Sequence, residues 1–530
     1  MHPNRIVRFA VGVVAVLLLP GPAGGVAAAA DTPNIVLILA DDLGYGDVGS
    51  YNPESRIPTP NLDKLAASGM RFTDAHSPAT FCVPTRYSLL TGRLQFRSKI
   101  PLNVEVGNPC IIEEDRLTLP QMLSAQGYAT AMTGKWHLGL TYMDRLNPGE
   151  VLRQGGIAGV RQIDFSRPIP DGPLNRGFDR FFGTEGCPGT SMMYAYIEGD
   201  RIPVPPTRQL TEDVKRELGF QTHEFAIDCD PGMIAPGFEH DEIDMLFLEK
   251  SRDFIKGHVK ASPDKPFFLY HAMHAVHLPS LPADQFMGKS GVSAHGDFIF
   301  EMDYIVGEFV KTLEALGIEK NTIIIFASDN GPETPTVRIM RTKYGHDGAR
   351  PWRGIKRDNW EGGHRVPLIV HWPGRIEAGA VNDQTVNLTD IMATCAAIVG
   401  AQLPDNAAED SFNMLPVLLG KQPEKTSVRQ YSLQQASRGH FLSLRKGPWK
   451  YINHRGAGGN NYDHDGMFSA AGLDIDGVVP GPDVPGQLYN LDDDPGERYN
   501  LYMKHPEIVE ELTAKMAEFV SSGRSAPDRD

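Results

Sequence analysis

The stretch Asn34-Ile35-Val36-Leu37-Ile38-Leu39-Ala40 limits the fold more sharply than anything else in this chain. It is apolar without interruption. A strand with one wet face alternates apolar and polar residues, so a run like this suits a strand covered on both sides, as in a parallel sheet. Four further segments read the same way: Ala129 to Thr133, Pro266 to Tyr270, Thr322 to Ser328 and Val366 to His371. Between them lie helical patterns: Asn61 to Ser68 stopped by Gly69, Thr118 to Gln126 stopped by Gly127, and Asp297 to Leu316 ending at Gly317. Strands alternating with helices predict an α/β fold, a large and mostly parallel central sheet flanked by helices.

The stretch from about 140 to 240 is rich in Gly and Pro with weak periodicity, and is expected to run over the sheet edge as a long loop excursion. Past Lys421 the pieces shorten, with strand-like His440 to Leu444 and Pro448 to Ile452, a Gly-rich loop around 456–487, and a closing helix over Pro506 to Ser521. The predicted organisation is a leader over 1–30, a catalytic α/β domain over 31–424, and a smaller α+β domain with a small antiparallel sheet over 425–530. The leader reading rests on Arg5 and Arg8, the apolar run Phe9 to Leu19, and the small residues up to Ala30, which together resemble a secretory signal peptide. Export, periplasmic or secreted, is the expectation, with no stable membrane span.

A formal charge of −15 disfavours nucleic acid or an anionic membrane as partner, since both call for a basic surface. It leaves room for an anionic small molecule in a local basic pocket. Five cysteines leave one thiol over. Cys110, Cys187, Cys229 and Cys395 allow two disulfides or none, while Cys82 stands apart.

Polar residues sit where strands end. Asp41-Asp42 follows the first strand, Asp329-Asn330 follows Thr322 to Ser328, and Lys135 and His137 follow Ala129 to Thr133, pointing the same way if the chain stays extended. Ligands of open α/β sheets bind beyond the carboxyl ends of strands. Asp41, Asp42, Asp329 and Asn330 offer only oxygen, which suits Ca²⁺ or Mg²⁺ rather than zinc, although Asp and Asn also serve as ordinary turn formers and caps. Cys82-Val83-Pro84-Thr85-Arg86 opens a short helix ending at Gly92, which places Cys82 at a helix N-terminus with Arg86 one turn inside. That site also suits a thiolate, so a thiol enzyme stays open. His271, His274 and His277 are spaced by three, but Pro279 argues for a strand and loop rather than a zinc-binding helix. His364 and His371 read as structural, and Glu361-Gly362-Gly363 as a turn rather than a catalytic acid.

Cys82-x-Pro84-x-Arg86, extended to Leu90-Thr91-Gly92-Arg93, resembles the maturation motif of type I, formylglycine-dependent sulfatases, arylsulfatase-like members of the alkaline phosphatase superfamily. Around it stand Asp41-Asp42-Leu43-Gly44-Tyr45-Gly46-Asp47, Gly134-Lys135-Trp136-His137-Leu138-Gly139, His277-Leu278-Pro279, Ser328-Asp329-Asn330-Gly331-Pro332-Glu333-Thr334, and Lys356 ahead of Glu361-Gly362-Gly363. These blocks resemble the family over about 34–375, and Leu488-Tyr489-Asn490-Leu491-Asp492 with Pro495-Gly496-Glu497 resembles its C-terminal domain. Thr85 stands where many relatives carry Ser. The resemblance implies an alkaline phosphatase-like fold and a sulfuric ester hydrolase. It implies one Ca²⁺ (or Mg²⁺) held by Asp41, Asp42, Asp329, Asn330 and the modified Cys82, and a formylglycine at Cys82 made by a formylglycine-generating enzyme. The hydrated aldehyde would offer one hydroxyl to attack sulfur and a second to eliminate sulfate. Arg86 and Lys135 would support it, His137 would assist proton removal, and His277 and Lys356 would contact the sulfate, with His277 protonating the leaving oxygen. Two rival expectations are a phosphate or phosphonate monoester hydrolase on the same fold, and a non-catalytic binder of sulfated glycans.

Overall fold

The computed structural model describes residues 32–423, 426–436, 440–460 and 484–528. The leader over 1–30, the proposed boundary at 424 and 425, and most of the Gly-rich loop lie outside the described residues. The main sheet takes nine strands: β1 Asn34–Ala40, β2 Met70–Phe72, β3 Ala129–Lys135, β4 Arg180–Thr184, β5 Ile197–Glu198, β6 Phe267–Ala272, β7 Thr322–Ser328, β8 Leu368–His371 and β9 Ala380–Asn382. Their order across the sheet is β9-β2-β8-β7-β1-β6-β3-β4-β5. The middle five, β7-β1-β6-β3-β4, are parallel, so their carboxyl ends share one edge. β8 runs antiparallel to both its neighbours, and β5 runs antiparallel to β4.

β1 explains why its sequence does not alternate. Ile35, Leu37 and Leu39 join one core with the helices α2 (Cys82–Thr91), α3 (Leu119–Ala125) and α6 (Asp390–Val399). Val36, Ile38 and Ala40 join the other, against α1 (Pro60–Ser68), α4 (Ile243–Ala261) and α5 (Ala294–Ala315). All six side chains are fully buried. Full burial of a Val, Leu or Ile side chain is worth about 1.5–3 kcal/mol, which fixes β1 at the centre of the sheet. Among the described residues no helix is long and apolar enough to cross a membrane.

One expectation is overturned. The 140–240 stretch is not only a loop excursion, because β4 and β5 come from it and widen the main sheet. β4 is short, Arg-Phe-Phe-Gly-Thr, and its Gly183 is needed for contact, since a Cβ there would lie 1.8 Å from the Gly134 carbonyl oxygen. A strand specified by close backbone approach leaves no apolar run to read. Val366 and Arg365 likewise precede β8, which starts at Leu368.

A second sheet, β10 Ser432–Gln435, β11 Leu442–Lys446, β12 Trp449–Ile452 and β13 Gln487–Asn490, is antiparallel throughout. The helix α7 (Pro506–Ser522) covers it through Val509, Leu512, Met516 and Phe519. This unit reaches the main domain at one telling place: Gln435 exchanges backbone hydrogen bonds with the segment just before Cys82, its N donating to Pro78 O and its O accepting from Thr80 N, each at 3.1 Å.

Candidate active site

The carboxyl ends of β1, β3, β6 and β7 converge on one buried cluster. Asp41 leaves β1 and accepts a hydrogen bond from the Lys135 ammonium at the end of β3. Arg86, one turn into α2, places its guanidinium 3.2 Å from Asp41 and 2.8 Å from Asp329, and donates to the Lys135 carbonyl at 3.1 Å. Asn330 donates from its amide to Asp42 Oδ1 at 2.7 Å, and Lys356 donates to Asp42 at 2.7 Å. His277 Nε2 lies 3.6 Å from Asp42 Oδ2. Cys82 opens α2, and its Sγ is 3.5 Å from His137 Nδ1. Every residue singled out above for catalysis or metal binding therefore lies in one cluster; nine of the ten are at most 7% exposed, and His137 is partly buried.

The backbone is bent to aim these groups. Asp42, His137 and Arg357 are three of the six non-glycine residues with positive φ among the described residues, at 60°, 53° and 81°. Left-handed backbone at non-glycine residues costs of order 1–3 kcal/mol and persists where surroundings impose it. His137 overturns the extended-chain expectation. The chain turns after Lys135, which reaches Asp41, while His137 reaches Cys82 instead. Glu361-Gly362-Gly363 is a short helix in which the glycines permit contact: Gly331 N donates to Gly363 O at 3.0 Å, and a Cβ on Gly331 would lie 1.8 Å from Gly362 O. This close approach seats the Lys356 loop on the Asp329-Asn330 turn. Glu361 itself binds Lys450 at 2.9 Å and Arg365 at 3.0 Å beside His364 and His76, a structural charge cluster.

Burial and neighbours set the charges. Burial pushes the Cys82 thiol up to about 11, despite Lys135 and Lys356 close by, so the site does not sustain a thiolate at neutral pH. Burial opposes ionisation of Asp41, yet Lys135 and Arg86 hold it well below the usual carboxylate range. Asp329, buried beside Asp41, is pushed up to about 7. Burial and the adjacent Lys135 drive His137 well down, leaving a neutral imidazole. His277 goes the other way: burial lowers it, but Cys187, Asp42 and Asp41 raise it to about 9.

Two buried oxygens, Asp41 Oδ1 and Asn330 Oδ1, have no hydrogen-bond partner among the described residues. Buried acceptors left alone cost about 1–3 kcal/mol each, and an oxygen-only donor set rich in carboxylate fits a hard divalent cation.

Sequence reasoning gave no role here to Glu333 or Cys187, and it weighed His274 only in a zinc-binding helix spacing that it set aside. Glu333 bridges Lys356 at 3.3 Å and takes a two-pronged ion pair from Arg357 at 2.6 and 2.8 Å, fixing the lysine from behind. Cys187 and His274 lie beside His277, with Cys187 Sγ 4.0 Å from His274 Nδ1. All five cysteines are free thiols, so the possible disulfides do not form. Cys187 was hidden among those disulfide candidates.

A family model described as Sulfatase matches residues 33–401. The chain is 32% identical over 507 residues to the N-acetylgalactosamine-6-O-sulfatase of Bacteroides thetaiotaomicron, covering 91% of this chain and 92% of that protein. It is 34% identical over 491 residues to human arylsulfatase A, covering 89% of this chain and 84% of that protein. Among solved structures, a sulfatase from work on the metabolism of multiple glycosaminoglycans by Bacteroides thetaiotaomicron superposes with a TM-score of 0.75 at 30% identity, covering 93% of this chain and 100% of that one. The chain belongs to the sulfatase family, and is a sulfuric ester hydrolase with an alkaline phosphatase-like fold.

Proposed function

We propose that this enzyme removes sulfate from sulfated sugars, with Cys82 converted to formylglycine as nucleophile and one Ca²⁺ held by Asp41, Asp42, Asp329, Asn330 and the modified residue. The observation that carries the reading is the pair of unpartnered buried oxygens, Asp41 Oδ1 and Asn330 Oδ1, in an oxygen-only cluster beside Cys82. Bound there, the cation supplies positive charge to the sulfate oxygens and orients the nucleophile. The hydrated aldehyde supplies two hydroxyls, one to displace the sugar alcohol and one to expel sulfate afterwards.

The chain's own groups then divide the proton work. His137 is neutral and next to position 82, so it can accept a proton from the nucleophile's hydroxyl. His277 is protonated below about 9 and can donate to the leaving sugar oxygen. Two like side chains pushed to opposite states are the signature of an acid and base assignment. Arg86 and Lys135 neutralise Asp41 and Asp329 and hold them in place. Lys356, braced between Asp42 and Glu333, keeps a cation at the sulfate end.

Relatives named for N-acetylgalactosamine-6-sulfate and for aryl sulfates support a sulfated amino sugar as substrate, with aryl sulfates as surrogates. Residues 31–424 would form the catalytic domain and 425–530 its support, in a protein exported after maturation by a formylglycine-generating enzyme. The test is peptide mass spectrometry of position 82 after co-expression with that enzyme. Formylglycine there, together with desulfation of 6-sulfated N-acetylgalactosamine, is expected. Only unmodified cysteine in an active preparation would overturn the reading.

A further inference from the structure

Cys187, His274 and His277 present sulfur and ring nitrogens that all lie within 4.8 Å of one another. All three are buried, at 3%, 1% and 7% exposure. They come from two neighbouring places at the strand ends, Cys187 in the loop after β4 and the histidines in the loop after β6. His277 Nδ1 donates to the Leu278 carbonyl at 2.5 Å, which fixes a proton on that nitrogen and makes Nε2 the atom that can bind a metal once its own proton is lost. A ring nitrogen–carbonyl bond of this kind is what orients a metal-binding histidine.

We propose that Cys187, His274 and His277 form a second metal site, for Zn²⁺ or a similarly soft divalent ion, and that filling it silences the enzyme. One thiolate and two imidazoles select Zn²⁺ or Co²⁺ over Ca²⁺, whereas the adjoining Asp41, Asp42, Asp329 and Asn330 offer only oxygen and select the reverse. The two sites therefore sort metals by donor type although His277 lies only 3.6 Å from Asp42. Tetrahedral zinc with bonds of about 2.0–2.3 Å places its ligand atoms about 3.5 Å apart, so side-chain rotation must close the trio by about 1 Å. As the metal binds, the Nε2 proton of His277 and any proton on the Cys187 sulfur pass to solvent, and the N–metal and S–metal bonds form. The fourth position is left to water. His277 spends its Nε2 lone pair on the metal and no longer carries a proton for the leaving oxygen. This last consequence rests on the role of His277 proposed above; the metal site does not.

The experiment adds Co²⁺, then Zn²⁺, to the full-length enzyme holding its Ca²⁺. One equivalent of Co²⁺ should give a thiolate-to-metal charge-transfer band, discharged by Zn²⁺. The band should vanish in Cys187→Ser and persist in Cys82→Ala, which removes the only other thiol at the site. His274→Ala should also abolish it, so a poorly folding Cys187→Ser does not leave the matter undecided. Zn²⁺ should inhibit turnover, and Cys187→Ser should weaken that inhibition by about tenfold or more relative to its own uninhibited rate. Absence of the band in the wild type, or its survival in both variants, overturns the site. A normal band without inhibition by Zn²⁺ leaves the metal site standing and overturns the silencing, together with the acid role of His277.

Discussion

His137 and His277 carry the same side chain into one cluster and leave it in opposite protonation states, because Lys135 faces the first while Cys187, Asp42 and Asp41 face the second. The sign for pH follows directly. His277 has its pKa raised to about 9, so the acid form is present below that value and is lost above it. A profile of kcat/KM should accordingly hold through neutrality and fall above about pH 9, and His277→Gln should remove that fall. The same substitution should cost about 10²–10⁴-fold in kcat on a sugar sulfate, whose alkoxide leaves poorly, and much less on a nitrophenyl sulfate, whose phenolate leaves unaided. Equal losses on both substrates would remove His277 from the acid role. At this scale the sequence was informative where a residue's position follows from its strand: Asp41, Asp42, Asp329 and Asn330 stand directly after apolar runs. It was silent on Cys187, whose place depends on a strand held by backbone approach at Gly183 and not by any apolar pattern.

Elements reach the site through their ends. β1 and β7 are paired in register from Asn34 with Thr322 to Ala40 with Ser328, so Asp41-Asp42 and Asp329-Asn330 emerge side by side. Three carboxylates meet there, and burial with Asp41 alongside pushes Asp329 up to about 7, a balance the proposed Ca²⁺ would shift toward the carboxylate form. Chelation with EGTA should therefore abolish turnover and lower the melting temperature, since a ligand at 100 times its Kd stabilises by about 2.7 kcal/mol. An unchanged melting temperature would argue against a structural cation here. The Gly331 and Gly362 contact is the matching constraint on the Lys356 loop. Gly331→Ala puts a Cβ 1.8 Å from a backbone oxygen, and overpacking against backbone should cost about 1–3 kcal/mol of stability and at least tenfold in activity. Thermal melts and steady-state rates of the variant read both. The long apolar strands and the helix ends at Gly92 and Gly317 were legible because burial and left-handed caps leave marks in sequence, while Gly69 marks a close approach, a Cβ there lying 2.5 Å from the Val370 carbonyl oxygen. The antiparallel course of β8 left none, since a strand buried on both faces reads alike in either direction.

Across the whole molecule, the small sheet is tied to the segment leading into Cys82. Gln435 on β10 pairs with Pro78 and Thr80, and Arg357 N donates to Thr80 O at 2.7 Å, so the segment leading into Cys82 is clamped between the second sheet and the Lys356 loop. Leu94, just past α2, belongs to the same apolar cluster as Leu433, Leu444 and Phe519. Two units sharing a core should unfold together, and calorimetry of the intact chain should show one transition. Two well-separated transitions would mean that the second sheet is an independent appendage. Both the sheet's position beneath Cys82 and this shared core went unread, because contacts between distant segments have no local periodicity. The central claim, that position 82 drives sulfate ester hydrolysis, is met most directly by comparing matched aryl sulfate and aryl phosphate esters on enzyme matured with a formylglycine-generating partner, beside Cys82→Ala. Turnover confined to the sulfate and lost in Cys82→Ala is the expected result; turnover that survives in Cys82→Ala, or that favours the phosphate, contradicts it.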